Sequence, residues 1–71
     1  MKVFAKRLKE LRMEKGLSQR ELVIKLKNKI PQPSIAMWEL DKREPSFESV
    51  ILLAQFFNVS LDYLAGLVDF K

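Results

Sequence analysis

The chain has neither cysteine nor histidine among its 71 residues. Without cysteine it has no disulfide and no thiolate ligand for zinc. Without histidine it also lacks the commonest metal ligand and general base. Only two glycines are present, and neither lies in a loop that could cradle a phosphate. We therefore expect no catalytic constellation, no metal site and no cofactor, and we predict that the protein is not an enzyme.

Long apolar segments are also absent. No run approaches the roughly 20 apolar residues that cross a bilayer, and the first seven residues, MKVFAKR, carry too much charge for a signal peptide. We expect no membrane association and a cytoplasmic location. A chain of this length has room for one hydrophobic core. Because no repeat or linker divides it, residues 1–71 are predicted to form a single domain.

The charge that is present is unevenly distributed. The net charge is +4, but residues 1–30 hold ten Lys and Arg against three Glu, whereas residues 31–71 hold three against six Asp and Glu. A basic half joined to an acidic half suggests one face for a polyanion. The alternative is that small soluble domains often carry a few excess lysines.

Hydrophobic spacing and capping signals predict an all-α protein of five short helices. Phe4, Leu8 and Leu11 form one apolar stripe at helical spacing. Ser18 followed by Glu21 is the pattern of a capping box. The predicted helices cover about residues 2–15, 19–27, 33–40 and 47–57, and a fifth begins after the cap Ser60 and reaches Gly66.

The ends of the helices and the core can also be predicted. Gly16, Asn28 and Asn58 suit the left-handed conformation that ends a helix, and Pro33 suits the first position of the third helix. The inward positions are predicted to be Leu22, Leu26, Ile35, Trp38, Phe47, Val50, Ile51, Leu53, Ala54 and Phe57. Stability should depend most on Trp38, Leu22 and Phe47. The segment 67–71 is unusually apolar.

Two short helices in tandem lie between about residues 18 and 40, and the second is entered through two prolines. This arrangement is typical of the helix-turn-helix unit that presents a helix to the DNA major groove. The other helices then serve to hold that pair rigid.

Several segments match a known family. They are RLKELR at 7–12, KGLSQ at 15–19, EL at 21–22, SI at 34–35, Glu39, PS at 45–46 and NVSLDYL at 58–64. Over about residues 3–66 the chain resembles the Cro/cI-type (lambda-repressor-like, XRE) helix-turn-helix domain. The resemblance implies a compact five-helix domain that binds double-stranded DNA as a homodimer on an inverted repeat. Members of this family are mostly bacterial or phage transcriptional repressors and antitoxins.

The chain departs from the common family pattern in and around the helix-turn-helix. Two additional residues lie between Leu26 and Ile35, and residues 27–31 fill a turn where the family usually has a glycine. Val23 stands where alanine is common, and Asp41 replaces the usual glycine after the third helix.

The start of the third helix holds the candidates for contact with DNA bases. Gln32 can bond bidentately to adenine, and Met37, on the outward face, can contact a thymine methyl group. Pro33 lies on the same edge. Gln32 could instead only cap the helix, and Met37 could be a peripheral core residue. Since no Lys or Arg projects from the centre of this helix, we predict an A·T-leaning site with more reliance on DNA shape.

Other polar residues are candidates for phosphate contacts. The resemblance implies that Gln19 bonds a phosphate and that Lys42 and Arg43 follow the DNA backbone. Gln19 could instead be a plain residue of the capping turn. Ser34 could bond a phosphate, a base or its own helix. Lys29 lies with Lys25 and Lys27 in the enlarged turn; these lysines could reach phosphates or simply favour a helix C-terminus. Lys42 and Arg43 could equally form a solvated turn.

Arg12 and Glu39 resemble the ion pair that joins the first and third helices in the family. We expect this pair to orient the recognition helix. Because we take the pair to be exposed, it should contribute only about 0–1 kcal/mol, so its role is orientation rather than stability.

A separate apolar feature lies toward the end of the chain. Leu52 and Phe56 are four residues apart on a face of the fourth helix where the family usually has polar or small residues. With Leu67 and Phe70 they could form a homodimer interface, or this apolar face could bind a protein partner. The alternative is that the tail folds back over Leu52 and Phe56 within one chain.

The functional prediction is a sequence-specific DNA-binding regulator, in particular a homodimeric repressor. The alternative is an antitoxin or a protein-interaction module that keeps the fold with little specific DNA reading.

Overall fold

The computed structural model describes all residues 1–71 and contains five α-helices and no strand. The helices are α1 (Lys2–Glu14), α2 (Gln19–Lys25), α3 (Gln32–Glu39), α4 (Phe47–Phe57) and α5 (Leu61–Ala65). The prediction of an all-α, five-helix domain is confirmed. None of the helices is both long and apolar enough to cross a membrane.

Three of the helices begin at a serine whose side chain caps the first turn. The Ser18 hydroxyl accepts a hydrogen bond from the Glu21 amide at 3.0 Å, and the Glu21 carboxylate accepts one from the Ser18 amide at 2.8 Å. This is the predicted capping box. Ser46 and Ser60 cap α4 and α5 with a single bond each, which their side chains accept from the amides of Ser49 and Tyr63. Each cap satisfies an amide that has no partner within its helix.

All five helices end at a residue in the left-handed conformation, and only two of these residues are glycine. They are Gly16, Lys27, Asp41, Asn58 and Gly66, with φ between 56° and 88°. After α3, for example, the Asp41 amide bonds to the Trp38 carbonyl and the Lys42 amide to the Met37 carbonyl. These paired bonds define a Schellman ending.

The enlarged turn after α2 begins earlier than predicted. Lys27 and Asn28 both have positive φ, and the amide of Lys27 already bonds back to the Ile24 carbonyl. The helix therefore ends at Lys25 rather than at residue 27. Asn28 adopts the predicted left-handed conformation, and Lys27 before it adopts that conformation as well.

The start of α3 differs by one residue from the prediction. Gln32 is the first helical residue and Pro33 the second, because Pro31 takes the extended N-cap conformation. The Pro31 carbonyl accepts hydrogen bonds from the amides of Ser34 and Ile35. Proline is tolerated at the second position as well, since the amide there has no partner within the helix.

One apolar core joins all five helices. α1 packs against α3 and α5, α2 against α3, and α4 against α5. The rings of Phe4 and Trp38 meet edge to face with their centroids 6.1 Å apart. The buried residues are Phe4, Ala5, Leu8, Leu11, Leu22, Leu26, Ile30, Ile35, Trp38, Val50, Leu53, Ala54, Phe57, Tyr63 and Leu64.

Two core assignments, Phe47 and Ile51, were wrong or incomplete, and four buried residues were missed: Ala5, Ile30, Tyr63 and Leu64. Phe47 was predicted to point inward but is 66% exposed. It is the first residue of α4, and side chains tilt toward the N-terminus of a helix, so its ring extends beyond the core. Ile51 is only half-buried. Ile30 was missed: it lies in the turn before α3, yet it is only 3% exposed and belongs to the core.

The segment after α5 lies along α1. The Arg7 guanidinium donates hydrogen bonds to the carbonyls of Tyr63 and Val68 and lies 4.1 Å from the centre of the Tyr63 ring. Further along, the Lys71 ammonium pairs with Glu14 at 3.0 Å. These contacts hold the tail against α1 and α5.

Candidate nucleic-acid interface

The exposed start of α3 carries the predicted base-contacting residues. Gln32 and Pro33 are both exposed, and the Gln32 side chain makes no hydrogen bond within the protein. The N-cap of the helix is Pro31, so the alternative in which Gln32 caps the helix does not occur. The donor and acceptor of the Gln32 amide are therefore both free to bond a base edge.

Met37 and Ser34 are half-buried on the same helix. Met37 is not among the partly buried side chains that pack against the core cluster, which favours contact outside the core over a peripheral core role. The Ser34 hydroxyl makes no hydrogen bond, whereas the caps on Ser18, Ser46 and Ser60 do. Its hydroxyl is available to a ligand.

The loop that follows α3 presents two cations. Lys42 and Arg43 are exposed and form no ion pair within the chain. The neighbouring carboxylates of Asp41 and Glu44 instead pair with the α-amino group of Met1. The hydrogen bonds that this amine donates, first to Glu44 and then to Asp41, raise its pKa. The amine offsets negative charge beside Lys42 and Arg43, and nothing in the sequence pattern predicted this contact.

Arg12 and Glu39 form the predicted ion pair, and Gln19 joins it. Arg12 Nε and Nη2 lie 2.8 and 2.9 Å from the two carboxylate oxygens of Glu39. The Gln19 amide donates to Glu39 Oε1 at 3.1 Å, and Arg12 Nη1 donates to the Leu17 carbonyl at 2.7 Å. One carboxylate at the end of α3 is thereby tied to α1 and to the start of α2.

The treatment of this pair as exposed was wrong. The side chains of Arg12 and Glu39 are 11% and 4% exposed. The hydrogen bond with Glu39, the largest cause, raises the pKa of Arg12. Because the pair is shielded from water, loss of one partner costs more than it would at an exposed site.

The residues predicted to join two copies differ in their exposure. Leu52 and Phe56 are half-buried and line open concavities between α4, the end of α1 and the enlarged turn. Leu67 and Phe70 are exposed on the tail that lies along α1. No tail residue lines the concavities, so the tail does not fold back over Leu52 and Phe56. Lys29, an exposed candidate for phosphate contact, lies on their rim.

Comparison with known proteins agrees with this geometry. The sequence profile of the helix-turn-helix family matches residues 8–64. The HTH-type transcriptional regulator ImmR of Bacillus subtilis (strain 168) is 39% identical over 61 residues, which are 86% of this chain and 46% of that protein. The uncharacterized HTH-type transcriptional regulator YqaE of the same strain is 37% identical over 62 residues, 87% of this chain and 52% of that protein.

A third relative has a more specific name. The HTH-type transcriptional activator BcrR of Enterococcus faecalis is 34% identical over 61 residues, 86% of this chain and 29% of that protein. The chain thus spans about half the length of ImmR and YqaE and less of BcrR.

The fold, the tandem pair α2 and α3, and the profile match over most of the chain define a helix-turn-helix protein. The chain belongs to the Cro/cI-type helix-turn-helix family, whose members are transcription regulators and not enzymes.

Proposed function

We propose that this chain binds double-stranded DNA sequence-specifically through α3 and acts as a homodimeric transcriptional repressor on an inverted-repeat operator. The observation that carries the proposal is the set of free polar groups on one exposed edge of α3. Gln32 and Ser34 make no side-chain hydrogen bonds within the protein, and the loop after the helix adds the unpaired cations Lys42 and Arg43.

In this proposal the start of α3 enters the major groove. Gln32 reads adenine, while Pro33 and Met37 contact apolar edges such as the thymine methyl group. The helix carries no Lys or Arg, so the strongest contact to guanine is missing. The operator is therefore expected to lean toward A·T and to be read partly through its shape.

Phosphate contacts set the position of α3 on the DNA. We assign them to Gln19, Ser34, Lys42 and Arg43. Lys29 lies instead on the rim of a concavity lined by Leu52 and Phe56. Gln19 donates one amide hydrogen to Glu39 and keeps a second for a phosphate. The same Glu39 holds Arg12, so the network sets the position of α2 and its phosphate contact relative to α3. Each cation that neutralises a phosphate should steepen the salt dependence of binding.

A dimer needs a surface where two copies can meet. Leu67 and Phe70 are exposed apolar side chains on a tail that Arg7 and Glu14 anchor to α1. We assign the dimer contact to this surface first, because the surroundings of Leu52 and Phe56 are cationic. Apposing two such surfaces would bring like charges together.

Repression is the simplest regulation for such a domain. Occupancy of an operator that overlaps a promoter blocks transcription without any further contact. BcrR is named an activator, and activation by this chain would need an additional surface to recruit the transcription machinery. A reporter gene placed behind the selected operator distinguishes the two: the chain should lower expression, and increased expression would contradict repression.

The decisive experiment is in vitro selection of random DNA duplexes with the purified chain. We expect an A·T-rich inverted repeat with half-sites about one helical turn, or roughly 34 Å, apart. Gln32→Ala should cost about 1–3 kcal/mol of discrimination at one position of each half-site. Lys42→Gln should weaken binding to all sequences and lower the slope of log K against log salt by about 1 per subunit.

Two further variants test the phosphate contacts and the dimer contact separately. Lys6→Gln removes an exposed charge on α1 outside the proposed interface and should leave the salt slope unchanged. Leu67→Ser with Phe70→Ser should convert a dimer into a monomer in sedimentation analysis without unfolding the chain, since both side chains are exposed. Failure of a folded chain to enrich any sequence would contradict the proposal.

A further inference from the structure

The surface around Leu52 and Phe56 combines an apolar floor with a cationic rim. Two adjoining concavities of about 280 and 410 Å³ share Lys25 and Phe56 in their linings. Leu26, Leu17 and Leu52 complete the apolar floor. We call this surface the lysine-rimmed groove; its rim consists of Lys15, Lys25, Lys27 and Lys29.

The charge of the lysine-rimmed groove has one sign. No Asp or Glu is among the lining residues, and none of the four lysines takes part in an ion pair. The Lys15 ammonium lies 5.8 Å from the centre of the Phe56 ring. Four lysines that form no ion pair around one apolar floor attract an anionic partner and repel a cationic one.

The apolar floor of the groove adds a hydrophobic contact that a site made only of charges would lack. Leu52 and Phe56 are one helical turn apart on α4 and only half-buried. An amphipathic helix recognises such a groove by placing apolar side chains at i and i+3 or i+4 into it. DNA phosphates would use the lysines but gain nothing from Leu52 and Phe56. A second copy of the chain would bring another four lysines against the first four.

We propose that the lysine-rimmed groove binds an acidic amphipathic helix of a partner protein. Leu52 and Phe56 would receive its apolar side chains, and Lys15, Lys25, Lys27 and Lys29 would pair with carboxylates on both sides of that apolar stripe. Such a partner could control the regulator from a surface other than the exposed edge of α3. The proposal does not depend on the DNA-binding function, because no DNA takes part in the contact.

The test is selection from a displayed library of random helical peptides against the folded full chain. The enriched peptides should carry large apolar residues at i and i+3 or i+4, flanked by Asp and Glu. Polyglutamate serves as the charge-only control and should bind at least about tenfold more weakly than the best peptide. In NMR spectra of the chain, the peptide should shift the amide signals of Gln55 and Phe56.

Charge variants locate the site without disturbing the core. Lys25→Gln with Lys29→Gln should weaken peptide binding about tenfold, as should an increase in salt from about 50 to about 200 mM. Lys6→Gln with Lys9→Gln removes the same charge from exposed positions of α1 that do not line the groove, and should leave the affinity unchanged.

Four results would overturn the proposal. The first is no enrichment, and the second is enrichment of peptides without acidic residues. The third is equal loss of affinity in the two charge variants. The fourth is that the groove signals shift only with duplex DNA, or only with chain concentration, which would assign the surface to DNA or to a second copy. Each of these results leaves the outcome of the DNA selection unaffected.

Discussion

Arg12 holds both carboxylate oxygens of Glu39, with its Nε and Nη2 atoms 2.8 and 2.9 Å away. This bidentate pair joins the last turn of α1 to the end of α3. Bidentate geometry restricts orientation as well as distance. The pair therefore sets the angle at which α3 leaves the body of the domain, and with it the direction of Gln32.

We predict that Arg12→Met lowers the free energy of unfolding by about 3–5 kcal/mol, because it leaves the shielded Glu39 carboxylate without its cation. The double variant Arg12→Met with Glu39→Met should recover much of this loss, since no unpaired charge remains. Urea denaturation of the three proteins measures both values. Lys9→Met, at an exposed position of the same helix, should change stability by less than about 0.5 kcal/mol. An equal effect of Lys9→Met and Arg12→Met would contradict this account.

Substitution by alanine should destabilise the domain much more at buried core positions than at Phe47. Trp38→Ala should cost about 3–5 kcal/mol, and Ile30→Ala, in the turn before α3, about 2–5 kcal/mol. Phe47→Ala should stay within about 0.5 kcal/mol, because its ring is largely in water. Thermal denaturation at matched protein concentration compares the three. A large loss with Phe47→Ala would mean that its ring is buried in solution.

Replacement of Lys27 by glycine should stabilise the domain. Lys27 has φ 57°, a conformation that costs a residue with a Cβ roughly 1–2 kcal/mol. Glycine loses more entropy on folding, by about 0.5–1 kcal/mol, so the expected net gain is about 0.5–1 kcal/mol. Lys29→Gly removes the same charge at a residue without positive φ and should destabilise. If chemical denaturation shows that the free energy of unfolding changes in the same direction for both variants, the conformational explanation is excluded.

The two glycines should differ in their tolerance of alanine. Both have positive φ, but a Cβ on Gly16 would meet nothing within 4 Å, whereas one on Gly66 would lie 2.8 Å from Val3 Cβ. Gly16→Ala should cost about 1–2 kcal/mol for its conformation alone. Gly66→Ala should cost about 1–3 kcal/mol more, because the tail must move away from α1. Equal urea midpoints for the two variants would show that Val3 gives way freely.

The capping box of α2 should make the stability of the domain depend on pH in the acidic range. The hydrogen bond from the Ser18 amide, followed by that with the Ser18 side chain, lowers the pKa of Glu21 below its ordinary value of 4.5. A lowered folded-state pKa means that the stabilisation is present above pH 4.5 and is lost as the pH falls through the folded pKa. The difference in melting temperature between the wild type and Glu21→Gln should therefore shrink in acid. A difference that grows as the pH falls would contradict the prediction.

Local signals predicted the helices better than they predicted the core. Ser18, Ser46 and Ser60 begin their helices as expected, because a serine cap acts within a single turn. Phe47 has the spacing of the buried stripe of α4, yet no neighbouring element covers the start of that helix. Ile30 has no periodic pattern around it, and only the path of the enlarged turn carries it into the core.

In the candidate site, too, features set within one element could be predicted, whereas contacts between elements could not. The exposure of Gln32, Lys42 and Arg43 could be predicted from the sequence, since polar residues at a helix start and in a turn face water. The participation of Gln19 in the Arg12–Glu39 pair could not, because the pair and Gln19 come from three helices. Leu52 and Phe56 were recognised as unusual, but the lysines beside them come from the end of α1, the end of α2 and the following turn.

The amino-acid sequence by itself determined the class of fold, the family, the starts of the capped helices and the absence of cysteine and histidine. These properties depend on composition and on interactions within one or two turns of helix. Tertiary structure alone decided the shielding of Arg12 and Glu39, the burial of Ile30, the exposure of Phe47 and the lysine-rimmed groove. Each of these depends on which distant segments meet, and spacing along a single helix carries no information about that.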